Sequence, residues 1–170
     1  MLQTDKAIAK IASFNPRAEK HGEDNKLAAD IKVQMSIGNG VLDQFHPDLR
    51  AALYRKAGPG EQQDLIDGEN GLVAVKFPRI GALRWDEEYE VAIHSLLGLV
   101  EPQQLVDVTL KKFAFEPIEG GSVVLTFSIV FHPDKSEAGA LCALIQEEVE
   151  LTLVPPKALA QQQPDLADVA

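Results

Sequence analysis

The chain has one cysteine, Cys142, in 170 residues, so no intramolecular disulfide can staple it and a core must hold the fold. A lone thiol fits a reducing compartment, and a cytoplasmic location is the expectation. Aromatic residues are scarce, at 6%, and Trp85 is the single tryptophan, so each ring matters to the count of what a core or a binding face can use. No apolar run is long enough to span a bilayer, and the charges within Met1 to Ile11 leave no signal-peptide core. No membrane partner is expected. Cations are outnumbered, 16 against 26 acids, for a net charge of −10. That argues against a large basic face for duplex DNA, although one basic groove can sit on an acidic protein.

Catalytic motifs are missing too. There is no G-x-S-x-G elbow, no phosphate-binding G-x-x-x-x-G-K-[ST] loop and no G-x-G-x-x-G fingerprint. The four histidines, His21, His46, His94 and His132, show no H-E-x-x-H spacing. The expectation is a non-catalytic protein without metal or cofactor. Two histidines fall in an echo, Phe45-His46-Pro47-Asp48 and Phe131-His132-Pro133-Asp134. Proline followed by an acid is a good helix opening, which accounts for the echo. The alternative is that the two His/Asp pairs meet in space.

What is present is a strong apolar pattern from Leu105 to Leu153. Val123, Leu125, Phe127, Ile129 and Phe131 alternate with Val124, Thr126, Ser128, Val130 and His132, which predicts a strand with one face in a core. Upstream, Val106, Val108 and Leu110 share a face, then the phase slips after Lys112 to Phe113 and Phe115. A slip within one strand predicts a β-bulge. Glu119-Gly120-Gly121 between the two runs predicts a tight hairpin. Asp134 with Glu137 forms a capping box, and Ala138, Leu141, Cys142 and Ile145 make one apolar helical face, which would bury the thiol. Val149, Leu151 and Leu153 form a last strand, ended by Pro155-Pro156.

Earlier in the chain, Ala7 to Phe14 predicts a short edge strand, Arg17 to Lys26 an exposed charged loop, and Leu27 to Ile37 a half-buried strand. Val41 to Phe45 suits a helical turn, and His46-Pro47-Asp48 opens a short helix. Lys56 to Gly71 is a long surface connection. Strands are expected at Leu72 to Val75, through Ile80, Leu83 and Trp85, and from Glu88 to Leu97. The whole predicts a single α+β domain over residues 1–156, mainly an antiparallel β sandwich or partial barrel, with two short helices near 47–57 and 134–147. The Ala/Gln/Asp-rich tail at 157–170 is expected to be disordered.

Single-stranded nucleic acid is bound by cations on phosphates and aromatics under bases. Lys76, Arg79, Arg84, Trp85, Lys111, Lys112 and Phe113 offer that interleaving on or beside predicted strands. The competing reading puts Trp85, Phe113 and Phe115 in the core with exposed lysines beside them. A different class of function would use the acidic segments Glu61 to Glu69 and Asp86 to Glu90 to engage a basic groove on a host protein. An exposed β-edge would favour a homodimer.

The run Phe14-Asn15-Pro16-Arg17-Ala18-Glu19-Lys20-His21-Gly22-Glu23-Asp24-Asn25 with Ala28-Ala29-Asp30 resembles the opening of small phage and prophage proteins of uncharacterised function. Phe113-Ala114-Phe115-Glu116, Glu119-Gly120-Gly121, His132-Pro133-Asp134 and the Leu141-Cys142 helix running into Pro155-Pro156 are similar to their C-terminal half. The resemblance implies an early phage gene product, of the kind found beside recombination genes. It brings no catalytic motif. It adds weight both to single-stranded DNA binding and to inhibition of a host defence protein.

Overall fold

The computed structural model describes residues 2–22, 24–58, 71–84 and 87–156. Trp85, the acidic stretch at 59–70 and the tail at 157–170 lie outside the described residues.

Alternation of apolar and polar residues builds a wall of antiparallel strands. These are β1 (Thr4–His21), β2 (Asp24–Gly38), β6 (Glu87–Ser95), β7 (Gln103–Ile118), β8 (Ser122–Phe131) and β9 (Glu148–Val154). Their order is β7-β6-β9-β1-β2-β8, and β8 pairs again with β7, so six strands close into a barrel. The α+β class with a barrel is therefore what the chain forms. β5 (Ile80–Leu83) lies on the same edge of β7 as β6, because Phe115 pairs with Ile80 on one side and Leu125 on the other. β3 (Tyr54–Lys56) and β4 (Leu72–Val75) pair as a separate two-stranded sheet that meets the β7–β8 turn, where Gly120 N donates to the Val73 carbonyl.

The inward positions fill the barrel with one apolar core. Ile31, Val33, Ile93, Leu125, Phe127, Ile129 and Leu151 are all buried. Phe113 stacks on Phe127 at 5.0 Å between ring centroids, and Phe45 meets Phe113 and Phe115 edge-on from below.

The phase slip in β7 is real. Lys112 has φ 59°, and the register against β8 jumps between Lys111 and Ala114. A second bulge lies upstream, where Asp107 has φ 52° and the register against β6 jumps between Tyr89 and Val91. It corrects the expected face: Leu105, Val108 and Leu110 point inward, and Val106 is exposed. The extra residue at each bulge keeps apolar side chains inside as the long strand curls.

Helices plug the two ends. At one end, a 3-10 helix (Asn39–Gln44) and α1 (Leu49–Leu53) sit under the core. The expected helix at 47–57 is shorter because the chain turns extended at Tyr54, whose hydroxyl donates to the Ser122 carbonyl. Asn39 Nδ2 donates to the Leu72 carbonyl at 2.7 Å, tying the β3–β4 hairpin to this end. At the other end lies α2 (Lys135–Ala143). Its capping box forms as the spacing predicts, with Glu137 N donating to Asp134 Oδ1 and Asp134 N to Glu137 Oε2, each at 2.8 Å. The buried face is Leu141 and Leu144, not Leu141 and Cys142; the thiol is exposed. The helix ends at Ala143, so Ile145 does not extend its face, and Leu144 in the following turn seals the core.

Two strand expectations also change. β1 is no edge strand, since β2 and β9 flank it. The charged segment after Phe14 is no loop: β1 and β2 stay paired to His21 and Asp24. This hairpin outruns the barrel, because β9 pairs β1 only as far as Lys10 and β8 pairs β2 only from Ala29. Arg17 braces it, reaching Asp30 at 2.7 Å and Glu19 at 2.8 Å. Unpaired wall edge, on which the homodimer expectation rested, is largely removed by closure. No helix among the described residues is long and apolar enough to cross a membrane.

Candidate nucleic-acid interface

Pairing registers decide which outward side chains stand in line. Lys32 on β2 faces Ser128 on β8, and Ser128 faces Lys111 on β7. Paired residues of an antiparallel sheet point to the same side, and Val33, Ile129 and Leu110 beside them are buried. The row Lys32–Ser128–Lys111 therefore faces outward. With strands about 4.8 Å apart, its two lysines are carried on backbones roughly 10 Å apart. The next row is Lys10 on β1, Gln34 on β2, Thr126 on β8 and Ala114 on β7. Ser36, Val124 and Glu116 form the third.

Lys112, the bulge residue, is exposed beside the first row. β5 brings Arg84 to the same place: Leu83 pairs with Phe113, so Arg84 follows on the strand edge toward Lys112. Gly81 permits this approach. A Cβ there would stand 2.6 Å from the Ala114 Cβ and 3.1 Å from its Cα, closer than β5 and β7 could tolerate.

Of the residues the sequence singles out, Arg84, Lys111 and Lys112 come together on this wall. Arg79 is exposed just before β5, farther along it. Lys76 has a structural task, its ammonium donating to the Ala51 carbonyl at 2.6 Å. Phe113 is a correction. Its ring is buried between Phe45 and Phe127 and offers no face to a base. Phe115 and Tyr89 are buried as well, so the core reading of these rings holds for the described residues. Phe77, 54% exposed, is the one exposed aromatic among them. Lys10 and Lys32 belong to the wall and are missed by sequence reasoning. The signal was there in the polar face of β2, where Lys32, Gln34 and Ser36 alternate with core residues. Only the register shows that this face continues into Lys111.

No family model, curated protein or solved structure matches the chain.

Acidic side chains line the neighbouring β6–β9 face. The outward positions of β6 and β9 carry Glu88, Glu90, Glu148 and Glu150, with His94 facing Glu150 in register. On the β2, β8 and β7 face the central row carries two lysines, with Asp30 and Glu116 on rows to either side. The echoed histidines do not meet. His46 lies at the α1 end, where it takes a hydrogen bond from Asp48 N at 3.2 Å. His132 follows β8 at the other end, 3.4 Å from Glu19. The length of β8, roughly 30 Å, separates them. Among the described residues, no group of three or more His, Cys, Asp or Glu converges to hold a metal ion.

Proposed function

We propose that this protein binds single-stranded DNA on the outer wall formed by β1, β2, β8 and β7, without catalysis, in a phage recombination or replication setting. The observation that carries the reading is the row Lys32–Ser128–Lys111, extended by Lys112 and Arg84. Cations at both ends of a strip of hydroxyl and amide groups suit a backbone laid across the strands, with phosphates on the lysines and Ser128 and Thr126 as hydrogen-bonding partners. A barrel wall of this kind is rigid, so ordering the ligand is the main entropic cost of binding. The phage setting comes from the sequence resemblance. The test is a titration of a labelled oligonucleotide at several salt concentrations. Salt-sensitive binding that weakens on replacing Lys32 and Lys111 is the expected result; no salt-sensitive binding ends the reading.

A second reading has its own observation. The acidic wall of Glu88, Glu90, Glu148 and Glu150 supports docking to a basic face of a host protein, as an inhibitor or adaptor would. A nuclease-insensitive, stoichiometric protein partner that is lost on neutralising Glu88 and Glu90 would favour it.

A further inference from the structure

Phe113, Phe115 and Tyr89 are buried, so none of these rings gives a base on the Lys32–Lys111 row a face to stack on. A groove of about 250 Å³ opens on the same wall, lined by Ile8, Lys10, Gln34, Ser36, Val124 and Glu148 among others. Its floor is aliphatic: Ile8 is 49% exposed and Val124 half-buried. Its rim is polar and carries both signs, Lys10 facing Glu148 across β1 and β9. The groove includes the row of Lys10 and Gln34, which is one pleat repeat, roughly 7 Å, from the row of Lys32 and Lys111. That offset is within the reach of a base from its own phosphate.

We propose that this groove holds one unpaired guanine of the bound strand; the proposal rests on the single-strand-binding reading. A phosphate does not suit the groove, because Glu148 repels it and the aliphatic floor gives it nothing. A base does, having apolar faces and a polar edge. Among the four bases, guanine presents two adjacent N–H donors, N1–H and the 2-amino group, beside the O6 acceptor. A carboxylate accepts both donors, and the Lys10 ammonium or the Gln34 amide donates to O6. Adenine and cytosine offer a carboxylate one donor group with an acceptor beside it, and thymine one donor flanked by two acceptors.

The experiment is fluorescence anisotropy of the full chain with labelled oligo-dT strands of equal length carrying a central thymine, guanine, adenine or inosine. One guanine is expected to tighten binding about tenfold over the all-thymine strand, adenine to leave it unchanged, and inosine, which lacks the 2-amino group, to lose most of the gain. Glu148→Gln, at an exposed position, is expected to bring the guanine-to-adenine ratio close to one. Salt-sensitive binding that is equal for all four strands, or a guanine preference that survives Glu148→Gln, overturns the groove assignment and leaves single-strand binding standing. Binding to none of the strands overturns both.

Discussion

Replacing Lys32 and Lys111 together by glutamine removes both cationic ends of the central row and leaves the core positions beneath them intact. Outside the groove the wall offers four cations, Lys32, Lys111, Lys112 and Arg84. For a single strand each neutralised phosphate contributes about −0.7 to the slope of log affinity against log salt, so four contacts give a slope of about −2.8. Between about 50 and 200 mM salt that is roughly a fiftyfold loss of affinity. With two cations left the slope falls to about −1.4 and the loss over the same range to roughly sevenfold. The assay is anisotropy of a labelled oligonucleotide across that salt range. Lys135→Gln, at the start of α2 and off the wall, serves as the control for losing a cation elsewhere on the surface. A double variant with the unaltered slope would refute the assignment of phosphates to this row, because counterion release cannot be indifferent to the loss of two phosphate contacts.

Other expectations follow from the packing. Phe113→Ala removes a ring stacked at 5.0 Å in the core and should cost about 3–5 kcal/mol in a denaturant melt. The milder Phe113→Leu should lower the melting temperature while leaving oligonucleotide affinity unchanged, since the ring is buried. Gly81→Ala places a Cβ 2.6 Å from that of Ala114 and should destabilise by about 1–3 kcal/mol; adding Ala114→Gly should recover part of the loss, and strict additivity in the double-mutant cycle would contradict the close approach. Arg17, then His132, hold the Glu19 carboxyl below its ordinary range. A carboxylate depressed in the folded state stabilises above its unfolded pKa and loses that contribution as pH falls through its folded value. Protection against hydrogen exchange, after correction for the intrinsic pH dependence, should therefore fall in the β1–β2 extension on acidification before it falls in the barrel strands.

Periodicity within a strand is a local property, and it made the barrel's inner face legible. The alternation from Val123 to Phe131 and from Leu27 to Ile37 maps onto inward and outward positions, and the Lys112 slip marks a bulge. The Asp107 bulge was hidden because Val106 is apolar yet points outward, so composition imitated an unbroken alternation. Mixed charge from Arg17 to Lys26 imitated a loop because two strands beyond the wall have no core face to pattern them.

By itself the sequence determined the α+β class, the alternating strands of Leu27–Ile37 and Val123–Phe131, the capped helix at Asp134 and the adjacent pair Lys111-Lys112. Each of those rests on neighbours a few residues apart. The tertiary structure decided closure, the burial of Phe113, and the alignment of Lys32 with Lys111. Those depend on register between β2, β8 and β7, distant in the chain, and a one-residue change of register would turn every side chain to the opposite face.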